Sequence, residues 1–365
     1  MRIILLFKSR TLNSPTLSTL LILNDLGHEL TVISEGLDEY WVKELENKHI
    51  RLHLLKTQYK SNNPISKFIS YKAFQKKAMK VIKNEFQEKG EGLLWISGAQ
   101  TILALGDKIK DYHYILQIHE LHEHFSYQLK AIKKVIHSAD LVFMPEYNRS
   151  IIYQVWFKLE KRPIVLPNKP YFLPTIEELE KFKNKHKELV SFFQENKVIL
   201  YQGEISAERN LSAFAQACHE LPEYKFALLG KDHGMLNKYK QINPNLIHID
   251  YTPAPEYLLF TSLAHIGIVT YEPKELNTAY CAPNKIFEYS AFKKPMLGNN
   301  IPGLKVLEHC NAGVIVDEQD KESIKQGIKK IEENYTNYQE GTNVLFNSVD
   351  NGEIIRKALE SLKNH

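Results

Sequence analysis

Two short segments in the second half of the chain place cations and a carboxylate where an anion and a polyol can be held. In the first, Tyr201, Gln202 and Gly203 run through a short polar loop to Arg209, Asn210 and Leu211. This spacing predicts a strand, a glycine turn and a helix whose first turn carries Arg209. Free N–H groups at a helix start attract anions, and a guanidinium offers paired donors to a phosphate. The same residues also fit a turn glycine followed by a solvated surface arginine. In the second segment, Pro283 suits a first helical turn, with Asn284 and Lys285 near the helix start and Glu288 almost beneath Lys285. A cation at a helix start is opposed by the macrodipole unless an anion sits there, and a carboxylate beside it can accept hydrogen bonds from vicinal hydroxyls. A surface Lys–Glu pair of little energetic weight is the plainer alternative.

Two further clusters lie in the first half. His119, Glu120, Leu121, His122, Glu123 and His124 follow an apolar run, but the residue four after His119 is Glu123, so no metalloprotease HExxH is present and no metal site is expected. His119, directly after the expected strand, is the candidate for an active-site hydrogen-bonding group, whereas His122 and His124 are expected in solvent. Lys67, Lys72, Lys76, Lys77, Lys80 and Lys83 occur without an intervening acid and alternate with apolar residues. Such a segment fits either a basic amphipathic helix on an anionic membrane or the solvated face of a packed helix. Lys72, Lys76, Lys77 and Lys80 are its central candidates for a membrane or acceptor patch.

Positioning these residues requires an α/β framework. Residues 3–7 are a continuous apolar run, as in a parallel strand covered on both faces; 14–26 carry leucines at helical spacing before Gly27; 29–34 form a second strand. This is a βαβ unit. Further strands are expected at 92–97, 114–118, 141–145 and 163–166. A second series follows: strands at 197–201, 225–229, 246–249, 266–270, 295–297 and 313–316, with helices at 210–221, 254–264, 283–292 and 321–335. The closely spaced prolines of 166–170 mark a hinge, followed by one charged helix over 176–194. The pattern predicts residues 1–168 as one Rossmann-like domain, 169–345 as a second, and 346–365 as a C-terminal helix crossing back to the first. The α/β fold class implied is two such domains facing across a cleft, with ligands at the carboxyl ends of the strands.

Composition narrows the setting. The chain has 365 residues, 43% hydrophobic and 25% charged, which excludes a fibrous or wholly disordered protein. Its net charge of +4 is too near neutral for a dedicated nucleic-acid binder. The charge is uneven: residues 1–170 hold 25 Lys+Arg against 17 Asp+Glu, and residues 171–365 hold 22 against 26. Three scattered cysteines favour neither a disulfide framework nor structural zinc, and no signal peptide or membrane span is legible. The expected place is the cytoplasm, peripherally on the inner membrane face.

Together these pieces resemble a retaining GT-B fold glycosyltransferase of the family four type, in the expected order over residues 1–360. The run from Leu23 to Ile33 with its Gly27-His28-Glu29, the Ile118-His119-Glu120-Leu121 segment, Asn168-Lys169-Pro170, the Gly203 to Leu211 loop and Pro283-Asn284-Lys285-Ile286-Phe287-Glu288-Tyr289 carry the resemblance. It implies transfer of a sugar, with retention, from a nucleotide diphosphate sugar to a glycan or lipid-linked acceptor in surface polysaccharide or glycolipid biosynthesis. No cofactor or required metal is implied. Under it Gly203, Arg209, Asn284, Lys285 and Glu288 bind the donor, with Glu288 on the ribose, and His119, Arg209 and Lys285 act in catalysis. Two positions depart from the family pattern. Glu204 stands where an arginine is usual and would repel a diphosphate if it pointed inward; Tyr280 stands where a sugar-side glutamate is usual, so Glu272 or Glu275 is a candidate to replace it. A nucleotide-sugar epimerase of the same fold, or a catalytically weak nucleotide-sugar-binding protein, fits these departures as well.

Overall fold

The computed structural model describes residues 1–57, 63–90 and 92–363. Met1–Pro167 together with the chain from Asp350 onward forms one compact unit, and Asn168–Val349 forms a second. The first crossing thus falls within a residue of the expected hinge, but residues 346–349 stay with the second unit.

The first unit is built on seven strands, β1 (Arg2–Phe7), β2 (Glu29–Ser34), β3 (Arg51–Leu54), β4 (Leu93–Ser97), β5 (His113–Gln117), β6 (Leu141–Met144) and β7 (Ile164–Val165), in the order β3-β2-β1-β4-β5-β6-β7. Every neighbouring pair is parallel. Ile3, Ile4, Leu5 and Leu6 are fully buried because helices cover both faces of the sheet. The helix Ser14–Asp25 starts where the Asn13 side chain accepts from the Thr16 N–H at 2.8 Å. Its residues Thr16 to Leu23 are all buried, and the C-terminal helix Asn351–Lys363 packs against it.

The second unit has six strands, β8 (Lys197–Gln202), β9 (Tyr224–Leu229), β10 (Ile247–Ile249), β11 (Ile266–Val269), β12 (Met296–Asn299) and β13 (Gly313–Val316), ordered β10-β9-β8-β11-β12-β13, again all parallel. In each sheet the strand order reverses once, between β1 and β4 and between β8 and β11. Loops leaving the two strands at such a reversal run in opposite directions and leave a crevice at the carboxyl edge. Both candidate sites lie at these reversals.

Four helices differ from their expected extents by two residues or more, the one expected over 210–221 starting at Ser212. The charged helix over 176–194 is two, Ile176–Lys185 and Lys187–Glu195, because His186 leaves helical geometry at φ −117° and bonds Glu256 at 2.6 Å. The helix at 254–264 contracts to Leu258–Leu263, and the one at 321–335 ends at Glu333, with a new helix over Tyr335–Asn347.

Candidate functional site

At the end of β8, Gly203 turns the chain with φ +139° while its N–H bonds the Leu229 carbonyl at 2.8 Å. Gly230, at the end of β9, has φ +143°, and a Cβ there would lie 2.0 Å from the Gly203 oxygen. The two glycines let adjacent strand ends touch backbone to backbone. A side chain on Gly203 would meet Lys285 Cε at 3.1 Å, so the missing Cβ leaves room for that lysine beside the loop.

Arg209 is not in the first helical turn: the helix begins at Ser212, and Arg209 belongs to the loop before it. Tyr239 holds the loop, its Oη donating to the Arg209 carbonyl at 2.9 Å and accepting the Leu211 N–H at 3.1 Å. The Arg209 guanidinium lies 4.2 Å from the centre of the Tyr271 ring, and Lys285 Nζ lies 5.7 Å from the same ring. Two cations, one from a loop and one from the first turn of a helix, thus share one aromatic wall, an attractive geometry for each. Tyr271 leaves β11 on the far side of the strand reversal and is fixed by Asn299, whose side chain accepts its N–H at 3.1 Å and donates to its carbonyl at 2.8 Å.

Lys285 and Glu288 stand on the helix Asn284–Ala291, preceded by Pro283, which makes no side-chain cap. Asn284 is the first helical residue, so the first-turn N–H groups have no capping side chain. Glu288 is 3% exposed. Its oxygens accept from Gln202 Nε2 at 2.5 Å and Tyr257 Oη at 2.6 Å, and Thr261 donates to Gln202 Oε1 at 2.7 Å. Burial raises the carboxyl above its ordinary pKa, opposed by Tyr257, Lys285 and Gln202. Burial also opposes the charge on Lys285, but the phenol oxygens of Tyr271 and Tyr201 and the Glu288 carboxylate outweigh it and raise the amine's pKa.

Beside this cluster a cavity of about 310 Å³ is lined by Arg209, Asn210, Lys238, Glu272 and Lys274 among others. Glu272 pairs with Lys274 at 2.8 Å. Glu275 instead caps the short helix Leu276–Ala279 in a reciprocal bond with Thr278, and Tyr280 closes that helix at its other end. Arg209 and Glu272 therefore share the cavity, whereas Lys285 meets Arg209 over Tyr271 and Glu288 lies one helical turn beyond Lys285. Glu204 does not point inward. Its side chain is 79% exposed and lies 3.9 Å from His233 Nε2.

In the first unit His119 follows β5, its Nε2 2.8 Å from Ser97 Oγ, which in turn lies 2.7 Å from Thr16 Oγ1. Gly98, with φ +82°, backs the ring: a Cβ there would come within 3.9 Å of His119 Cδ2. Burial, then His122 and Arg149, push the imidazole pKa down to about 4, so the ring is neutral near pH 7. His122 is not in solvent as expected; it is largely buried, and burial followed by Arg149 pushes it down to about 4 as well. His124 is exposed. Lys72, Lys76, Lys77 and Lys80 are all exposed on the helix Pro64–Lys89, and Lys77 also donates to the Leu55 carbonyl at 2.9 Å.

Tyr271, Gln202, Tyr257, Ser97 and Thr16 were not singled out from sequence. Each acts on a residue distant in the chain; the one local signal is that Tyr271 and Ser97 stand at strand ends beside a reversal.

No protein-family model and no curated protein matches the chain. Among solved structures, Anabaena HepE in complex with UDP-glucose superposes with a TM-score of 0.72 at 14% identity, covering 100% of both chains. Sucrose-phosphate synthase from Thermosynechococcus elongatus gives 0.70 at 15% identity, covering 100% of this chain and 99% of its own. A glycosyltransferase from Rickettsia africae gives 0.68 at 16%, covering 100% and 98%. With the two parallel sheets, these likenesses show the fold, that of the GT-B glycosyltransferases.

Proposed function

We propose that the protein is a glycosyltransferase that takes its sugar from a nucleotide diphosphate sugar. The observation that carries this reading is the pairing of Arg209 and Lys285 on Tyr271, one helical turn from buried Glu288, at the strand reversal of the second sheet. HepE, of the same fold, is a complex with UDP-glucose.

Breaking the bond between the anomeric carbon and the diphosphate leaves an oxocarbenium-like sugar and adds negative charge to the leaving oxygen. Arg209, Lys285 and the uncapped N–H groups at Asn284 are fixed donors for that charge, so they stabilise the transition state more than the ground state. They supply the positive charge at the diphosphate, and the proposal assigns no metal and no cofactor. Glu288 keeps unused lone pairs on oxygens already held by Gln202 and Tyr257 and accepts from the ribose hydroxyls. Glu272 lines the cavity beside Arg209 and is the acid for the sugar side, in place of Glu275, which is engaged as a helix cap. Neutral His119 exchanges hydrogen bonds with a hydroxyl without adding charge. No carboxylate is assigned as nucleophile, in keeping with retention through attack on the face the diphosphate leaves, where a phosphate oxygen takes the acceptor proton.

The acceptor side is the first domain, and the acceptor is a glycan or a lipid-linked saccharide at the cytoplasmic membrane face, in surface polysaccharide or glycolipid biosynthesis. No described helix is long and apolar enough to cross a membrane, so any membrane association in this reading is peripheral. A panel of nucleotide diphosphate sugars screened by thermal shift, followed by assay of the stabilising donor with and without a membrane-lipid extract, tests the reading. One donor raises the melting midpoint, and the extract accelerates release of its nucleoside diphosphate. Conversion of the donor into its epimer with no acceptor, or no donor that stabilises the fold, contradicts it.

A further inference from the structure

In the first unit a groove of about 610 Å³ separates the helix Pro64–Lys89 from the helices Ala99–Leu105 and Ser126–Val135 and the turn between them, Gly106–Asp111. Lys67 and Lys72 line it from one side, Lys108 and Lys134 from the other, with Tyr71 and Tyr127 among its walls. Among the described residues its one lining acid, Asp107, already pairs with Lys110 at 3.1 Å. Four ammonium groups border one groove, and an anion seated between them is attracted by all four. Only two of these lysines lie in the run of 67–83, so the groove was not legible as a unit in the sequence.

The same helix exposes apolar side chains in its first turns: Ile65 is 73% exposed, Phe68 60% and Ile69 61%. Loose docking is not the reason. The helix is seated by buried Ser70, Phe74, Ala78 and Ile82 at four-residue spacing. Lys8 Nζ, buried and 2.5 Å from Glu35, reaches Ser70 Oγ at 2.9 Å, and Gln75 donates to the Leu105 carbonyl at 2.6 Å. A rigid helix thus carries an apolar tip beside a cationic groove, with Tyr127, itself exposed, on the opposite wall.

We propose that this surface seats the protein on an anionic phospholipid bilayer, with Ile65, Phe68 and Ile69 entering the acyl boundary and the groove lysines holding a lipid phosphate. Lysines suit the phosphate level, and tyrosine an interface with one wet and one apolar side. A soluble polyanion satisfies the lysines but leaves the apolar tip in water. The inference rests on the peripheral-membrane part of the proposed function and uses no residue of the donor site.

Co-sedimentation of the full chain with phosphatidylcholine vesicles, with and without phosphatidylglycerol, tests it. Binding to the mixed vesicles is expected to be at least tenfold tighter than to phosphatidylcholine alone and to weaken with salt. Lys108→Gln with Lys134→Gln lowers it roughly 25-fold, about fivefold per charge. Phe68→Ser with Ile69→Ser lowers it at least tenfold. Both variants keep the native thermal shift with UDP, which shows that they fold. Equal binding to the two vesicle types overturns the proposal, as does either double variant binding like the native chain. So does heparin competing fully while the Phe68 and Ile69 changes have no effect, which would assign the groove to a soluble polyanion. Loss of UDP binding with vesicle binding intact would instead count against the donor site alone.

Discussion

At the scale of single residues, the candidate sites depend on side chains held by partners far along the chain. Arg209 and Lys285 are positioned through Tyr271, Glu288 through Gln202 and Tyr257, and His119 through Ser97 and Thr16. His119 makes a pH prediction. Its folded-state pKa is depressed to about 4, while an unfolded imidazole titrates near 6.5. Between those values the unfolded chain binds the extra proton, so the contribution to stability is complete above about pH 6.5 and is lost as pH falls toward about 4. His119→Gln, which cannot titrate, should unfold in denaturant with a shallower loss of stability across that window, the remaining slope including the share of His122. An unchanged slope would show that the ring is not buried neutral. Lys285, Glu288 and His119 were legible as candidates because their types sit at the expected helix start and strand end, and Arg209 by its type, although it stands in the loop and not in the first helical turn. The residues that hold them were not, since no local pattern links position 202 to 288 or 271 to 209.

At the scale of elements, the parallel strands were legible because burial on both faces demands unbroken apolar runs such as Ile3 to Phe7 and Val198 to Tyr201. The edge strand β3, Arg51–Leu54, is only half-buried along its length and lacked that signature. The break at His186 was hidden too, because it depends on Glu256, 70 residues away. The loop that carries Arg209 rests on contacts of this long-range kind, among them Gly203 against Gly230 and the bonds of Tyr239 to Arg209 and Leu211. Replacing Gly230 by alanine puts a Cβ 2.0 Å from the Gly203 oxygen at a φ of +143°, so the β8 and β9 ends must separate. Gly230→Ala is expected to cost about 3 kcal/mol of stability and to weaken UDP binding by displacing the loop that carries Arg209. Denaturant unfolding and calorimetry measure the two effects. A neutral substitution would mean that the loop is not held there.

At the scale of the whole molecule, charge and topology divide the work. The cationic excess belongs to the half that carries the lysine groove, while the half proposed to hold an anionic nucleotide is net acidic, with 22 Lys+Arg against 26 Asp+Glu over residues 171–365. Bulk attraction therefore does not favour the donor, and affinity must come from the few placed groups around Tyr271. Glu204, with its carboxylate in solvent, leaves that cluster uncancelled at short range. The return of the chain at Asp350 to pack the helix Asn351–Lys363 on Ser14–Asp25 makes the first domain depend on both chain ends.

The central claim is that Arg209 holds the donor diphosphate, and calorimetric titration of UDP into the native protein and into Arg209→Ala tests it most directly. The account predicts saturable binding to the native protein and a loss of at least tenfold in the variant, as expected for a charge-assisted contact worth about 1.5–3 kcal/mol. Equal affinity of the two proteins for UDP would contradict it.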